Sequence, residues 1–188
     1  QSFLTRDNYQ DLLKDCFQTM KLFGSKVAFL PLGGSGKDWQ QEGCAAYQQM
    51  VSRLRTAGEM AKQEGITIGI RTGMGAKFDK KLLKKVGSSQ IKVYYNFQDA
   101  ADHHRDICKE LRKLGAQRIV QIHASNTDSV NLQEDLEINL PKIRKTLDKM
   151  KWSGWLVVER SRDVKRVRDV KYNFGRNIAY LKQVFQER

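Results

Sequence analysis

Polar side chains stand at the ends of four of the five apolar segments that the sequence predicts to be strands. Arg71, Asn96 and His123 end three consecutive segments and Glu159 ends the last one, whereas the first segment runs into Gly33. The carboxyl ends of parallel strands gather their side chains at one edge of a sheet, so we expect these groups to lie near one another. A carboxylate and an imidazole can transfer protons or coordinate a cation, and a guanidinium binds anions.

Two alternating apolar periods predict the elements that must position these groups. Apolar residues spaced three and four apart indicate helices over 7–23, 47–61, 77–86, 101–114, 141–150 and 173–185. Short continuous apolar runs indicate strands over 27–32, 67–70, 91–95, 118–123 and 154–159. This alternation is typical of a parallel sheet covered on both faces. The sequence therefore predicts a single α/β domain with five strand–helix units after a leading helix.

The composition is that of a globular chain with one outlying value, its charge. Of 188 residues, 40% are hydrophobic and 29% are charged, and no apolar run approaches the ~20 residues that a membrane span needs. The first residues show no signal-peptide pattern, so a cytoplasmic location is favoured and a periplasmic one stays open. The net charge of +13 favours anionic partners, and a solvated basic surface of helix lysines is the alternative.

Three local patterns suggest chemistry but lack the spacing that it requires. The stretch PLGGSGKDW lacks the first glycine and the final serine or threonine of a phosphate-binding loop, and is predicted to be a flexible loop or lid. His103 and His104 are adjacent on a predicted helix, where neighbouring side chains diverge by ~100°, so they are a poor metal pair. Cys16 and Cys108 fall on apolar helix faces and are predicted to be buried; with Cys44 they form no CxxC pair.

His123 and Glu159 have two interpretations from their residue types alone. They are either a buried polar pair or ligands of an ion such as Mn²⁺ or Zn²⁺, although two ligands seldom hold a metal firmly. Arg160 opens the segment RSRDVKRVRDVKYN, which carries a net positive charge just beyond the last predicted strand. That segment is expected either to steer an anionic substrate toward the sheet edge or to be a solvated loop with local ion pairs.

Several stretches of the chain, read in order, resemble a known family: YQQMVSRLRTAGEMAKQEGITIGI, QIHASNTD, WSGWLVVERS and NIAYLKQVF. They are similar to the xylose isomerase-like TIM barrels, the sugar phosphate isomerase/epimerase group, which also resembles apurinic endonucleases of the endonuclease IV type. The resemblance covers nearly the whole chain and implies a parallel (β/α) TIM-barrel fold. It also implies that only the C-terminal five βα units are present in the single domain over residues 1–188, and that the first three are absent.

Absent strands would leave two sheet edges and part of a barrel interior exposed, which is an aggregation hazard. The resemblance leaves three explanations: the chain is a fragment, a second copy completes the sheet, or the strands have rearranged. A homo-oligomer would cover the exposed edges. The helix over 7–23 is expected to protect one of them.

Members of this family hold a divalent metal at the barrel mouth with a Glu, an Asp, a His and a second Glu. Carried onto this chain, the resemblance puts Arg71, Asn96, His123 and Glu159 at these positions, so two of the four match. It therefore implies a Mn²⁺, Zn²⁺ or Mg²⁺ site that is weak or absent here. We expect Arg71 either to pair with Glu159 in the vacated site or to bind a substrate phosphate or carboxylate.

The resemblance also implies an activity, namely a sugar or sugar phosphate isomerase or epimerase that transfers a proton next to a carbonyl. Glu159 would be the base, and His123 a metal ligand or a hydrogen-bond donor to the enediolate. Arg71 cannot replace the second glutamate as a base, because a guanidinium stays protonated. The residues expected to bind substrate are Arg71, Asn96, Trp39 and Arg160.

Two other functions stay open at this point. A non-catalytic or engineered barrel fragment, kept for folding or assembly, is consistent with the missing strands and the incomplete ligand set. A basic nucleic-acid-binding relative of endonuclease IV is consistent with the charge of +13. Its basic residues are dispersed, however, so nucleic acid is the least favoured partner, and no membrane partner is expected.

Overall fold

A computed structural model describes residues 2–32, 38–125 and 129–186. The chain divides into two compact units, residues 1–94 and residues 95–188, which are described one at a time. Residues 33–37 of the glycine-rich stretch predicted to be a flexible loop or lid, Gly33 among them, lie outside the described residues. The prediction of a single domain over 1–188 stays a prediction. Within the described ranges, none of the helices combines the length and the apolar character needed to cross a bilayer.

The first unit alternates helices and parallel strands. Its elements are α1 (Ser2–Thr5), α2 (Tyr9–Leu22), β1 (Val27–Pro31), a 3₁₀ turn (Asp38–Gln40), α3 (Ala45–Gln63), β2 (Thr67–Arg71), α4 (Ala76–Val86) and most of β3 (Ile91–Asn96). Strand β1 pairs with β2 from Val27 opposite Thr67 to Pro31 opposite Arg71, and β2 pairs in parallel with β3. Pro31 stands at the end of β1, a position where a residue without an N–H is tolerated.

Two features of the sequence place Arg71 at the end of β2. The run before it is buried, with Ile68 and Ile70 fully enclosed, so the strand is held by its apolar side chains. The turn after it is fixed by Thr72, whose hydroxyl donates to the Asp79 carboxylate and accepts the N–H of Met74. Arg71 is therefore the half-buried last residue of a rigidly ended strand.

Gly58 in α3 and Gly175 in the last helix make a matched test of packing. A Cβ added at Gly58 would lie 2.7 Å from Ser88 Cβ, whereas one added at Gly175 would meet nothing within 4 Å. We expect Gly58→Ala to lower the free energy of unfolding by about 1–3 kcal/mol through overpacking. Gly175→Ala is expected to raise it by about 0.5–1 kcal/mol through helix propensity. Urea unfolding of both variants measures these free energies. If both substitutions change the free energy of unfolding in the same direction, Gly58 is not the close contact with Ser88 that we describe.

The second unit continues the same alternation. Its elements are the end of β3, α5 (Phe97–Ala101), α6 (Ile107–Leu114), a 3₁₀ turn (Ala116–Arg118), β4 (Ile119–His123), α7 (Leu140–Lys149), β5 (Trp155–Val157), a second 3₁₀ turn (Val164–Arg166) and α8 (Val170–Phe185). Strands β4 and β5 pair in parallel, from Gln121 opposite Trp155 to His123 opposite Val157. Four of these helices begin at a side chain that accepts a backbone N–H: Asn96, Asp106, Asn139 and Asp169.

The five parallel strands confirm the predicted fold class, a parallel (β/α) arrangement in which strand order follows the chain. The helix predicted near 101–114 is confirmed as α6, with its four predicted inward residues buried, but its predicted start is wrong, because α5 ends at Ala101 and α6 begins only at Ile107. Between them His104 has a left-handed φ of 51°, and Asp106 begins the new helix by accepting the N–H of Lys109. That hydrogen bond also holds the pKa of the Asp106 carboxyl below its usual range.

Two further expectations need correction. Strand β5 has three residues and ends at Val157, so Glu159 lies two residues beyond the strand and not at its last position. Cys16 is exposed on α2, because the buried stripe of that helix follows Leu13, Phe17 and Met20. Cys108, in contrast, is 2% exposed, which confirms the prediction of a small buried residue.

Candidate active site

The second unit brings His123 and Glu159 together. His123 ends β4, and the following residue, Ala124, donates its N–H to the carbonyl of Val157 at the end of β5. This bond brings the two chain segments side by side just where each leaves the sheet. Glu159 Oε2 then lies 3.2 Å from His123 Nδ1. The histidine side chain is 8% exposed and the glutamate side chain is 44% exposed, so the pair has one buried member and one member that reaches solvent.

Asn96 is the third polar group at this position, and its orientation is fixed by its role as a helix cap. Its Oδ1 accepts the backbone N–H of Gln98 at 2.8 Å, which begins α5. The other end of the same amide, Nδ2, lies 3.4 Å from His123 Nδ1. Because the oxygen is already used by the helix, the amide presents a donor to the imidazole. Asn96 is 2% exposed, so this arrangement is enclosed.

A single nitrogen, His123 Nδ1, therefore lies near two partners, one that donates a hydrogen bond and one that accepts it. The Asn96 amide offers it a hydrogen, which requires a lone pair on Nδ1 and places the ring proton on Nε2. The ionised Glu159 carboxylate offers it a lone pair, which requires a proton on Nδ1. The two hydrogen bonds cannot be formed with the same tautomer. The group thus has two hydrogen-bonded states that differ in where one proton resides, an arrangement suited to proton transfer.

The donor set does not fit a firmly held divalent metal. In the part of the chain that the structure describes, no three His, Cys, Asp or Glu side chains converge as a metal site would require. His123 and Glu159 contact each other, and Asn96 directs a hydrogen and not an oxygen toward them. Structural and catalytic sites for zinc take at least three protein ligands, and manganese prefers more oxygen. His123, Glu159 and Asn96 therefore do not provide a firm metal site, and a weak site remains a prediction.

Asn96→Asp tests this conclusion, because it replaces the amide N–H with a third ligand oxygen and keeps the helix cap. We expect the variant to be less stable than the wild type without metal, since it buries a carboxylate near Glu159. Mn²⁺ at about 100 times its Kd should then stabilise the variant by about 2.7 kcal/mol, and leave the wild type unchanged. Thermal unfolding with and without Mn²⁺ measures the effect.

Asn139→Asp is the matched control for that experiment. Asn139 caps α7 in the same way, through its Oδ1 and the N–H of Lys142, but it is exposed and far along the chain from His123. Its substitution should introduce no response to Mn²⁺. Equal stabilisation of the wild type by Mn²⁺ would show instead that His123 and Glu159 already suffice for a metal.

The remaining predicted site residues are placed as follows. Arg160 is exposed and adjoins Glu159 in the second unit, whereas Arg71 and Trp39 belong to the first unit. Trp39 is 5% exposed, and its ring meets that of Phe78 edge to face with centroids 6.0 Å apart. Its predicted stacking on a sugar, and the predicted pairing of Arg71 with Glu159, stay predictions. The structure thus brings together Asn96, His123 and Glu159.

The sequence analysis did not predict a group of buried polar residues next to this site. Asn131, Asn173, Asn177 and Ser161 are each no more than 1% exposed and are hydrogen-bonded to one another. One signal was available, since Asn173 and Asn177 are four residues apart and so share a face of α8. Asparagine is uncommon in the apolar face of a helix, and two at this spacing indicate a polar network.

Comparisons with known proteins agree with this architecture. The family model described as xylose isomerase-like TIM barrel matches residues 4–184. No curated protein matches the chain. Similar solved structures include D-psicose 3-epimerase from Clostridium cellulolyticum H10, with a TM-score of 0.77 and 12% identity, over 95% of this chain and 71% of that one. The 3-keto-D-glucoside 4-epimerase from E. coli has the same TM-score and identity, over 95% and 72%.

A third similar structure is the family 2 AP endonuclease from Brucella melitensis, with a TM-score of 0.71 and 16% identity, over 92% of this chain and 70% of that one. At such identities the likeness shows the fold, which is that of sugar isomerases and epimerases, and it leaves the substrate open. The family match extends over almost the whole sequence. The chain therefore belongs to the xylose isomerase-like TIM barrel family.

Proposed function

We propose that this protein binds a sugar or sugar phosphate and transfers a proton at the carbon next to its carbonyl, with Glu159 as the base. The observation that carries the proposal is the contact between a solvent-reaching carboxylate and a buried imidazole, 3.2 Å apart. A base must reach its substrate on one side and be oriented on the other. Glu159 is 44% exposed and is braced by His123, so it meets both requirements.

The proton balance of this step uses the two states of His123. Glu159 takes the proton from carbon, the C–H electron pair forms the carbon–carbon double bond of an enediolate, and the carbonyl oxygen takes up the negative charge. Once Glu159 is protonated, its O–H donates to the lone pair of His123 Nδ1, so the ring releases its Nδ1 proton to water and takes up a proton from water at Nε2. Asn96 stabilises the same tautomer through its N–H. Glu159 then returns its proton to carbon.

A single base favours one outcome of this reaction over another. Return of the proton to the neighbouring carbon, on the same face of the enediolate, uses Glu159 for both carbon proton transfers and interconverts an aldose with a ketose. The hydroxyl proton passes from one enediolate oxygen to the other in the same reaction. Return to the original carbon with inversion needs a second acid on the opposite face, and Arg71 at the family's other glutamate position cannot supply it. We therefore infer isomerisation as the principal reaction and epimerisation as the minor one.

The cationic residues serve the substrate and not the proton transfer in this proposal. Arg160, which follows Glu159 in the chain, binds a phosphate or carboxylate of the substrate through a charge-assisted hydrogen bond. Asn96 orients the imidazole as well as a substrate hydroxyl. The excess positive charge of the chain raises the local concentration of anionic sugars, which favours sugar phosphates over neutral sugars.

Solvent deuterium exchange with a panel of candidate sugars tests the proposal. The protein is incubated in D₂O, in the presence of a chelator, with aldoses, ketoses and their phosphates, and proton NMR follows the C–H next to the carbonyl. We expect its signal to disappear for at least one phosphorylated member, with formation of the isomer. Absence of exchange across the panel, or exchange only after Mn²⁺ is added, would contradict the assignment of a metal-free base.

A second candidate function, assembly with another copy of the chain, is favoured by one exposed surface. Trp155 on β5 is 74% exposed and Ile178 on α8 is 43% exposed. Both line a groove of about 640 Å³ between α7, β5 and α8, with Leu156, Leu181 and Phe185. An apolar groove beside a short strand is typical of an association surface. We propose a homo-oligomer that covers it, and light scattering during size exclusion should give a mass at least twice 21.7 kDa.

A further inference from the structure

We propose that Asn131, Asn173, Asn177 and Ser161, which we term the asparagine cradle, position Glu159 and Arg160 for the reaction. The inference rests on the proposed function and assigns to it residues that lie outside the contact with His123. Its starting point is the short last strand. Because β5 ends at Val157, the β-ladder does not orient Glu159. The backbone of Ser161, two residues beyond Glu159, is fixed by side-chain hydrogen bonds.

Ser161 is held in a conformation that serine rarely adopts. Its φ is 80°, in the left-handed region, where a residue with a Cβ is strained. Its carbonyl oxygen accepts two side-chain amides, Asn177 Nδ2 at 2.6 Å and Asn131 Nδ2 at 3.2 Å. Two buried donors on one carbonyl oppose the rotation that would release the strain. The direction in which the chain leaves Glu159 is therefore set by these amides.

Asn173 fixes the rest of the loop that follows Glu159. Its Oδ1 accepts the N–H of Asp163 at 2.8 Å and Asn131 Nδ2 at 3.0 Å. Its Nδ2 donates to the carbonyls of Arg166 at 2.7 Å and Asp169 at 2.9 Å. One side chain of α8 thus binds both ends of the segment 163–169.

The cradle also reaches the chain that follows His123. Asn131 lies in the loop after β4, and Asn177 Oδ1 accepts the N–H of the next residue, Leu132, at 2.8 Å. The carbonyl of Ser129 in the same loop accepts the N–H of Val164. The loops that follow His123 and Glu159 are therefore both hydrogen-bonded to α8. Three buried amides cost more than apolar residues of the same size unless their geometry is needed, which is why we assign them a positioning role.

Asn177→Leu is the first test, because leucine keeps the approximate volume of the side chain in the buried face of α8 and removes the hydrogen bonds to Ser161 and Leu132. We expect the NMR order parameters of the Glu159 and Arg160 amides to fall from about 0.85 to below about 0.7 as the loop loosens. In the deuterium-exchange assay, kcat should fall about 10-fold or more while KM changes little, because misplacement of a base by about 1 Å is costly.

Asn177→Asp is the second variant. It keeps the oxygen that accepts the Leu132 N–H and removes the hydrogens that reach Ser161, so the same loss of order at Glu159 is expected. Lys151→Gly is the matched control, because Lys151 is an exposed residue of the same unit that also has a left-handed φ, 53°, and lies outside the cradle. It should leave the order parameters and kcat at wild-type values.

The two readouts separate the cradle from the proposed function. Order parameters at Glu159 that fall in Asn177→Leu but not in Lys151→Gly support positioning even if no sugar is turned over. If Asn177→Leu matches Lys151→Gly in both order and kcat, the cradle is only a structural network and the inference is overturned. If the protein exchanges no sugar proton while the order parameters fall, the function fails and the positioning geometry stands.

Discussion

Glu159→Gln is expected to lower kcat for proton exchange by about 10²–10⁴-fold, the usual contribution of a positioned general base. Glutamine preserves the size of the side chain and its contact with His123, but a carboxamide cannot accept a proton from carbon at neutral pH. KM should change by less than about 3-fold, because the proton is transferred only in the transition state. Initial rates of deuterium incorporation measure both quantities.

The matched control for this substitution is Glu59→Gln. Glu59 is an exposed glutamate on α3 in the first unit, so the same chemical change there alters the net charge equally and leaves the catalytic pair intact. Its kcat should equal that of the wild type. If Glu159→Gln exchanges deuterium at the wild-type rate, Glu159 is not the base. If kcat falls equally in Glu159→Gln and Glu59→Gln, the loss comes from the change in net charge and not from proton transfer.

Arg53→Met is expected to lower the free energy of unfolding by about 2–3 kcal/mol. Arg53 is 8% exposed in α3, and its Nη1 donates to the carbonyls of Phe3 at 2.8 Å and Arg6 at 2.7 Å. Its guanidinium also stacks 4.6 Å from the centre of the Tyr9 ring. Methionine retains most of the volume and leaves both carbonyls without their donor. Urea unfolding measures the loss, and faster proteolysis within residues 2–8 should accompany it.

Arg55→Met separates the burial of Arg53 from the loss of an arginine. Arg55 lies on the same helix and also donates to two carbonyls, those of Lys85 and Val86, but it is exposed to solvent. Water replaces its hydrogen bonds when it is removed, so a cost below about 1 kcal/mol is expected. Equal costs for the two substitutions would mean that α1 is not held by the buried guanidinium.

The parallel strands were predictable because each is a continuous apolar run buried by helices, as Ile68 and Ile70 in β2 show. The same signal overestimated β5, since Val158 continues the apolar run after Val157 without continuing the ladder. The helix over 101–114 was overestimated at its start. Residues 102–106 carry no apolar side chain, α5 ends at Ala101, and the capping hydrogen bond of Asp106 begins a new helix.

The candidate site was predictable only in part. His123 and Asn96 end strands, so their meeting follows from the parallel arrangement, and Glu159 follows from the family resemblance. The asparagine cradle was not predictable in the same way, because its hydrogen bonds join residues that are distant in the chain, such as Leu132 and Asn177. Side-chain networks of this kind depend on tertiary packing, which a local pattern does not contain.

The single amide of Asn96 has a consequence for how α5 responds to catalysis. Its oxygen holds the N–H of Gln98 and its nitrogen faces the imidazole of His123. In the proposed reaction the ring proton exchanges between Nδ1 and Nε2, which changes the hydrogen bond between the Asn96 nitrogen and His123. The Asn96 oxygen meanwhile keeps its hydrogen bond to the start of α5. Linkage requires the reverse coupling as well. Fraying of the first turn of α5 would therefore change the preferred tautomer, and amide hydrogen exchange at Gln98 would report the protonation state of the His123 ring through the Asn96 side chain.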